Sequence, residues 1–242
     1  MTNGITYIHQ IIVRRRLIST SFFYKQKKEV IRLIKGQLHI TTHTNGKLKH
    51  IVSINTSTLW NEFCNKMGKR DLARRNRECK SVCELCYAEK NEKVRKQLEV
   101  CLQNNTEILT KKVLTEEEIP FLNNSYVRFH SFGEFVNEIH VQNFLNIAKH
   151  NPQTTFCLMT KRYDLIMKYP KLKNIIYIAS SPIINIKIQN QEILDYFDKV
   201  FTVYSDKNSA CGKINCAGLS CITCKKCYTR RGTKYINELL RK

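Results

Sequence analysis

Eleven cysteines are the residues of this sequence with the most obvious chemistry, and most of them fall in two short groups. The first group has the spacing CxxxCxxC at Cys79, Cys83 and Cys86, with Cys64 upstream. Three thiolates this close together can ligate three irons of a [4Fe–4S] cluster and leave the fourth iron open. Four thiolates would suit tetrahedral zinc equally well. The group predicts a metal centre, iron–sulfur in our interpretation, with zinc as the alternative.

The second group predicts another metal centre near the end of the chain. Its five cysteines are Cys211, Cys216, Cys221, Cys224 and Cys227. The last three have the spacing of a bacterial ferredoxin loop, and Cys216 is available as a fourth ligand. We interpret the group as an auxiliary iron–sulfur cluster. The alternative is a zinc knuckle that binds nucleic acid, because a basic tail follows it.

Disulfide bonding fits the cysteine pattern poorly. A secreted disulfide framework would spread its cysteines through loops, whereas these are grouped. Cys101 and Cys157 lie in apolar patterns outside the groups, so we predict ordinary buried thiols there.

The elements that must position these thiols alternate between strand and helix. Apolar, β-branched segments at residues 49–55, 126–130, 154–160, 174–180 and 200–204 predict strands. Helical patterns are found at 89–112, 135–149 and 192–198. This order predicts an α/β fold with a mostly parallel sheet. Right-handed connections would curl the sheet into a partial (β/α) barrel.

Chemistry on such a sheet collects at the carboxyl ends of its strands. We therefore expect the first cysteine group, residues 130–134, Lys161 and Ser180 to face one opening. Glu134 is the candidate catalytic carboxylate, with an exposed acid at a helix start as the alternative. His130 is the second catalytic candidate, with a structural histidine as the alternative. Lys161 could hold a carboxylate or phosphate, or be part of a solvated pair.

Two landmarks together resemble the radical S-adenosylmethionine superfamily. They are the cysteine motif after the first strand and the turn Ser131-Phe132-Gly133-Glu134 after the second. The resemblance implies that the open iron binds the amino and carboxylate groups of S-adenosylmethionine. Gly133 and Glu134 would contact the cofactor, and Ser180 and Lys161 complete the candidate cofactor-binding set. The sequence departs from the family pattern at Leu85, where an aromatic residue is usual, and at Phe132, where glycine is usual.

A closer resemblance covers most of the chain from Lys47 onward. The matching segments are Thr58-Leu59-Trp60-Asn61, Cys83-Glu84-Leu85-Cys86-Tyr87-Ala88, Arg128-Phe129-His130-Ser131-Phe132-Gly133-Glu134, Met159-Thr160-Lys161 and Ser180-Ser181-Pro182. Together they are similar to the phage "gene product 88" domain family, which is described as radical-SAM-like. This resemblance implies that Cys64 replaces Cys79 as the third thiolate or acts as a fourth. A fourth thiolate would close the open iron.

Charge and hydropathy limit the partners. The net charge is +21, from 41 Lys and Arg against 20 Asp and Glu, which attracts phosphate-rich partners. No apolar run approaches the 18 or so residues that span a membrane.

We divide the chain into a basic N-terminal extension at 1–46, a barrel domain at 47–205 and a cysteine-rich segment with a basic tail at 206–242. We interpret the first 26 residues as a basic arm or short hairpin, with an organellar transit peptide as the alternative that their composition also fits.

The leading hypothesis from the sequence is an enzyme that generates a 5′-deoxyadenosyl radical from S-adenosylmethionine and acts on an unknown substrate. It would need an electron donor such as flavodoxin or ferredoxin. Its clusters would require a reducing compartment, which favours the cytoplasm (the host's, if the protein is phage-encoded). The alternative is a non-catalytic nucleic-acid-binding protein of a phage or mobile element, stabilised by zinc or iron–sulfur centres. A redox sensor is a third possibility.

Overall fold

The computed structural model describes residues 36–42, 46–72 and 80–240, without the side chains of 70–72. Within these ranges seven strands form one sheet whose order follows the chain. The strands are β1 (Ile40–Thr42), β2 (Val52–Ile54), β3 (Tyr126–Phe129), β4 (Thr155–Thr160), β5 (Ile175–Ser180), β6 (Lys199–Tyr204) and β7 (Tyr235–Leu239). β1 is antiparallel to β2, and every other neighbouring pair is parallel. The predicted α/β fold with a mostly parallel sheet is confirmed.

Helices connect most of the parallel strands. They are α1 (Glu62–Leu72), α2 (Tyr87–Val94), α3 (Lys96–Lys111), α4 (Glu138–His150), α5 (Tyr163–Ile166), α6 (Gln191–Tyr196) and α7 (Cys221–Cys224), with 3-10 turns at Glu116–Glu118 and Lys226–Tyr228. The predicted helix over 89–112 is two helices, because the backbone leaves the helical region at Arg95. No helix in the described ranges is long and apolar enough to cross a membrane.

The two faces of the sheet are buried by different partners, because successive strand residues point to opposite faces. On β4, Phe156 and Leu158 join a large core with α3, α4 and the residues around α5 and α6. Cys157, between them, joins a smaller core on the other face. That second core also contains Phe201 and Tyr228. The helices therefore cover one face, and the C-terminal segment contributes to covering the other.

The segment at 206–242, expected as an appendage, is continuous with the sheet. Its last strand, β7, pairs in parallel with β6 along five positions from Tyr235 to Leu239. The side chains of Arg230 and Lys234 donate to the backbone carbonyls of Lys173 and Phe197, which fixes the segment to the rest of the fold. Lys226 donates to the carbonyl of Asn215 within the segment. β7 is hard to recognise from sequence, because Asn237 and Glu238 interrupt its apolar pattern.

The predicted N-terminal extension falls mostly outside the described residues. Residues 1–26, which we interpreted as a basic arm or a transit peptide, lie outside the described residues. Residues 40–42, inside the predicted extension, form β1 and extend the sheet beside β2. β1 and β7 are the edge strands, so hydrogen bonding among the described strands does not close a barrel.

Candidate functional site: a thiol-lined cavity at the sheet

A cavity of about 210 Å³ lies against the face of the sheet that the helices do not cover, and it reaches the carboxyl ends of the strands. Residues from the first cysteine group, from the turn after β3 and from the C-terminal segment line it together. The predicted site residues in its wall are Cys64, Cys83, Cys86, His130, Gly133, Glu134, Lys161, Ser180, Cys216, Cys221 and Cys227. The structure thus gathers both cysteine groups at one cavity.

The first cysteine group reaches the cavity through two short anchors. Cys64 lies in the first turn of α1, where its amide donates to the side chain of Asn61 at 3.0 Å. Cys83 belongs to a loop whose amide at Val82 donates to the carbonyl of Pro182 at 3.0 Å, in the loop after β5. Cys79 lies outside the described residues. The structure therefore places Cys64, which lies outside the CxxxCxxC motif, beside Cys83 and Cys86.

Burial controls the protonation of these thiols. It raises the pKa of Cys64 well above its ordinary value, with a further rise from nearby Cys83. Burial also raises the pKa of Cys83. Burial also disfavours the charged form of Lys161, but interaction with Cys83 and Glu134 outweighs burial and raises the pKa of Lys161. The thiols of Cys64 and Cys83 are therefore protonated at neutral pH, and binding of a metal would release protons.

The turn at Gly133 and Glu134 is held from several directions. The side-chain oxygen of Asn55 accepts hydrogen bonds from the amide of Ser131 at 2.9 Å and the amide of Phe132 at 3.1 Å. The side-chain amide of Asn61 donates to the carbonyl of Glu134 at 2.8 Å. Because Asn61 also caps the turn that carries Cys64, one side chain couples the thiol to the turn.

The Glu134 carboxylate is 3% exposed, so it is not the exposed helix-start acid considered as the alternative. One oxygen accepts from the hydroxyl of Thr160 at 2.5 Å and the amide of Phe135 at 3.0 Å. The other accepts from the amide of Lys161 at 2.8 Å. Glu134 therefore joins the turn after β3 to the end of β4 and fixes part of the cavity wall.

His130 has its ring among aromatic side chains. Its ring centroid lies 4.9 Å from that of Phe135 and 5.1 Å from that of His140. Both ring nitrogens are buried without a hydrogen-bond partner among the described residues. Burial, followed by the neighbouring charge of His140, lowers its pKa well below the ordinary value. This surrounding favours a neutral packing residue, the alternative that we raised for His130.

A buried carboxylate that the sequence pattern does not distinguish supports the same region. Glu92 on α2 is fully buried and accepts a hydrogen bond from the Ser57 hydroxyl. Its other oxygen accepts from the amide of Thr58 at 2.8 Å and from the Thr58 hydroxyl at 2.6 Å. The loop from β2 to α1 is thereby anchored under the first cysteine group. A lone glutamate in a charged helix gives no sign of this role.

We expect Glu92→Gln to lower the free energy of unfolding by about 2 kcal/mol, since an amide replaces an acceptor that three buried donors share. Urea denaturation followed by circular dichroism measures this value. Glu89→Gln on the same helix is the matched control, because its ion pair with Lys93 is partly exposed and is worth less than about 1 kcal/mol. Equal losses in the two variants would contradict the anchoring role.

Four cysteines of the second group share one small cavity beside the main one. Cys216, Cys221, Cys224 and Cys227 line that small cavity, and all of them except Cys224 also line the main cavity. Cys211 is exposed. Cys157 of β4, predicted as an ordinary buried thiol, lies beside Cys227. The interaction between the two side chains lowers the pKa of Cys157 and raises the pKa of Cys227. The sheet thus places one further thiol beside this group.

The closeness of these cysteines does not by itself give them the geometry of a metal site. Among the described residues, no group of three or more His, Cys, Asp or Glu side chains is arranged as a metal site. That finding does not include Cys79. The donor set itself suits iron or zinc, because buried thiols from both groups face one cavity beside the cations of Arg128 and Lys161. Metal binding at either group stays a prediction.

Fold and site define an α/β protein with a mostly parallel sheet and a thiol-lined cavity that reaches the carboxyl ends of its strands. The chain belongs to the Gene product 88 family, whose model matches residues 23–226. The membership confirms the family resemblance in the sequence and is consistent with a phage protein. Neither a curated protein nor a solved structure matches the chain.

Proposed function

We propose that this protein is an iron–sulfur enzyme of the radical S-adenosylmethionine type. The observation that carries the proposal is that Cys64, Cys83 and Cys86 line one cavity with the Gly133-Glu134 turn. Family membership is compatible with it but names no reaction. The sheet would then curl as a partial barrel around the cavity.

Each part of the cavity has a role in this proposal. Cys83 and Cys86, with either Cys79 or Cys64, would hold a [4Fe–4S] cluster. The chemistry supplied there would be the one-electron reductive cleavage of S-adenosylmethionine to methionine and a 5′-deoxyadenosyl radical. The backbone around Gly133 and the side chain of Ser180 would position the cofactor, and the Lys161 ammonium would pair with its carboxylate. Burial of the wall would exclude water.

The second cysteine group would hold an auxiliary centre on the opposite wall. Cys216, Cys221, Cys224 and Cys227 line one small cavity, and all of them except Cys224 also line the main cavity. Such a centre would relay electrons from a donor such as flavodoxin or ferredoxin. Since both centres need reduced thiols, the proposed location is the cytoplasm, of the host if the gene is carried by a phage.

Anaerobic purification and reconstitution test the proposal. We expect iron and sulfide in the protein, an EPR signal after dithionite reduction that changes on addition of S-adenosylmethionine, and formation of 5′-deoxyadenosine. Cys83→Ser with Cys86→Ser should abolish that EPR signal and the product. Cys101→Ser is the matched control, because that buried thiol lies on α3 and does not line the cavity.

Two results would overturn the proposal. Zinc in place of iron at the first group excludes the electron transfer. A cluster whose EPR signal does not change when S-adenosylmethionine is added indicates four protein thiolates, with Cys64 as the ligand of the fourth iron. The competing nucleic-acid hypothesis rests on the net charge of +21 and predicts affinity for nucleic acid that falls steeply with salt. The described structure favours it less, because Lys226, Arg230 and Lys234 are engaged by backbone carbonyls.

A further inference from the structure

Arg128 is a cation in the cavity wall that the sequence pattern does not identify. It lies on β3, directly opposite Cys157 of β4 in the sheet register, and faces the second core. Its Nε donates to the carbonyl of His130 at 3.3 Å. One terminal nitrogen, Nη2, contacts the sulfur of Met159 at 3.4 Å, which is a weak acceptor. The other terminal nitrogen, Nη1, makes no hydrogen bond with the described residues.

No carboxylate neutralises this guanidinium in the described part of the chain. The ionisable groups that act most strongly on its charge are the thiols of Cys157 and Cys227 and the phenols of Tyr87 and Tyr228. Lys47, in the same cavity wall, provides a contrast because it forms an ion pair with Glu238 at 2.6 Å. An arginine is charged at every physiological pH, and a charge removed from water without a partner is costly. The cavity is therefore complementary to an anion.

The remaining wall near Arg128 limits the shape of that anion. Leu48, Met159, Phe201 and Val203 present apolar side chains to the same space. A small inorganic anion would leave this apolar surface in contact with water, whereas an organic anion would cover it. A guanidinium donates two parallel hydrogen bonds to a carboxylate or a phosphate group. The cavity thus combines one fixed oxyanion donor with an apolar compartment.

We propose that the cavity binds an organic molecule with an anionic head, a carboxylate or phosphate, which Arg128 holds while the apolar wall covers its body. If the protein is the enzyme proposed above, this names the chemical class of its substrate. The binding itself does not depend on a cluster.

Isothermal titration of the full-length protein, metal-free and reconstituted, tests the proposal with four probes: hexanoate, hexyl phosphate, hexanol and inorganic phosphate. We expect hexanoate or hexyl phosphate to bind at least about tenfold more tightly than hexanol and inorganic phosphate, since the head needs the guanidinium and the body needs the wall. Arg128→Gln should weaken binding of the preferred probe by about tenfold or more. Arg231→Gln, the same change at an exposed arginine, should leave it unchanged.

Several outcomes would overturn the proposal. Equal binding of hexanol and hexanoate would show an apolar pocket without an anion site, and binding of inorganic phosphate alone would exclude the organic body. Failure of all four probes would also reject it. The comparison of probes in the wild-type protein decides the question even if Arg128→Gln does not fold. Anion binding by a protein that takes up no iron on reconstitution would remove the proposed function and keep this site. A reconstituted cluster in a protein that binds none of the anions would do the reverse.

Discussion

Gly133→Ala is expected to lower the free energy of unfolding by about 4 kcal/mol, which combines overpacking with backbone strain. A Cβ at this position would lie 2.2 Å from Oγ1 of Thr56 and 2.5 Å from its carbonyl oxygen. The backbone has little freedom to retreat, because the amide of Thr56 donates to the carbonyl of Phe132 at 3.3 Å. Gly133 also has a φ of +86°, which disfavours alanine. Thermal and urea unfolding measure the loss.

Gly212→Ala separates the two causes. Gly212 has a similar φ of +71°, but a Cβ there would meet no atom within 4 Å. This variant should lose only about 1 kcal/mol, the cost of the backbone conformation. If the two variants lose the same stability, the close approach of Gly133 to Thr56 is not what makes glycine necessary. If the larger loss occurs only at Gly133, the turn beside the cavity is sterically fixed.

The central strands could be predicted because their sequences are continuous apolar runs. Residues 174–180 and 200–204 contain the β-branched and aromatic side chains that a strand buried on both faces requires. β7 could not be predicted, because the polar Asn237 and Glu238 interrupt its apolar pattern. Asn237 is nevertheless buried, and its side-chain amide donates to the carbonyl of Lys213. The position of β7 beside β6 depends on contacts between distant parts of the chain, which local patterns do not encode.

The candidate site was predictable to the extent that parallel strands bring their carboxyl ends together. This rule places Glu134, Lys161 and Ser180 at one cavity, as the structure shows. It cannot find Arg128, which lies within a strand rather than after it. Strand alternation puts Arg128 on the face opposite Val127 and Phe129. Whether that face is solvent-exposed or buried depends on the C-terminal segment, which is distant in the sequence.

The second cysteine group shows the limit of spacing arguments. The ferredoxin-like spacing joins Cys221, Cys224 and Cys227 in sequence, and the structure places them with Cys216 at one small cavity. Cys157, distant in the chain, also lies beside Cys227, and the two thiols shift each other's pKa. Spacing describes which thiols a local loop can bring together. It carries no information on thiols that the sheet supplies, so the ligand set of a second centre has to be determined by substitution.

Acidification from pH 6.5 to pH 5 is expected to remove about 3–4 kcal/mol of stability through two buried histidines. Burial lowers the pKa of His140 from 6.5 to about 3 and lowers the pKa of His130 well below its ordinary value. A folded-state pKa below the unfolded value means that the unfolded chain binds more protons. The stabilisation is therefore complete above pH 6.5 and is lost as the pH falls, by about 1.4 kcal/mol per unit for each histidine.

Urea unfolding at pH 7, 6.5, 6, 5.5 and 5 measures this slope in a window where most carboxylates remain ionised. His140→Gln should remove about half of the slope, whereas His150→Gln at the exposed end of the same helix should leave it unchanged. A stability that does not vary between pH 6.5 and pH 5 would show that the two rings accept protons in the folded state. Both ring nitrogens of His130 and Nε2 of His140 would then require partners that the described residues do not supply. A slope that disappears in His140→Gln would assign the whole effect to His140 and leave His130 outside it.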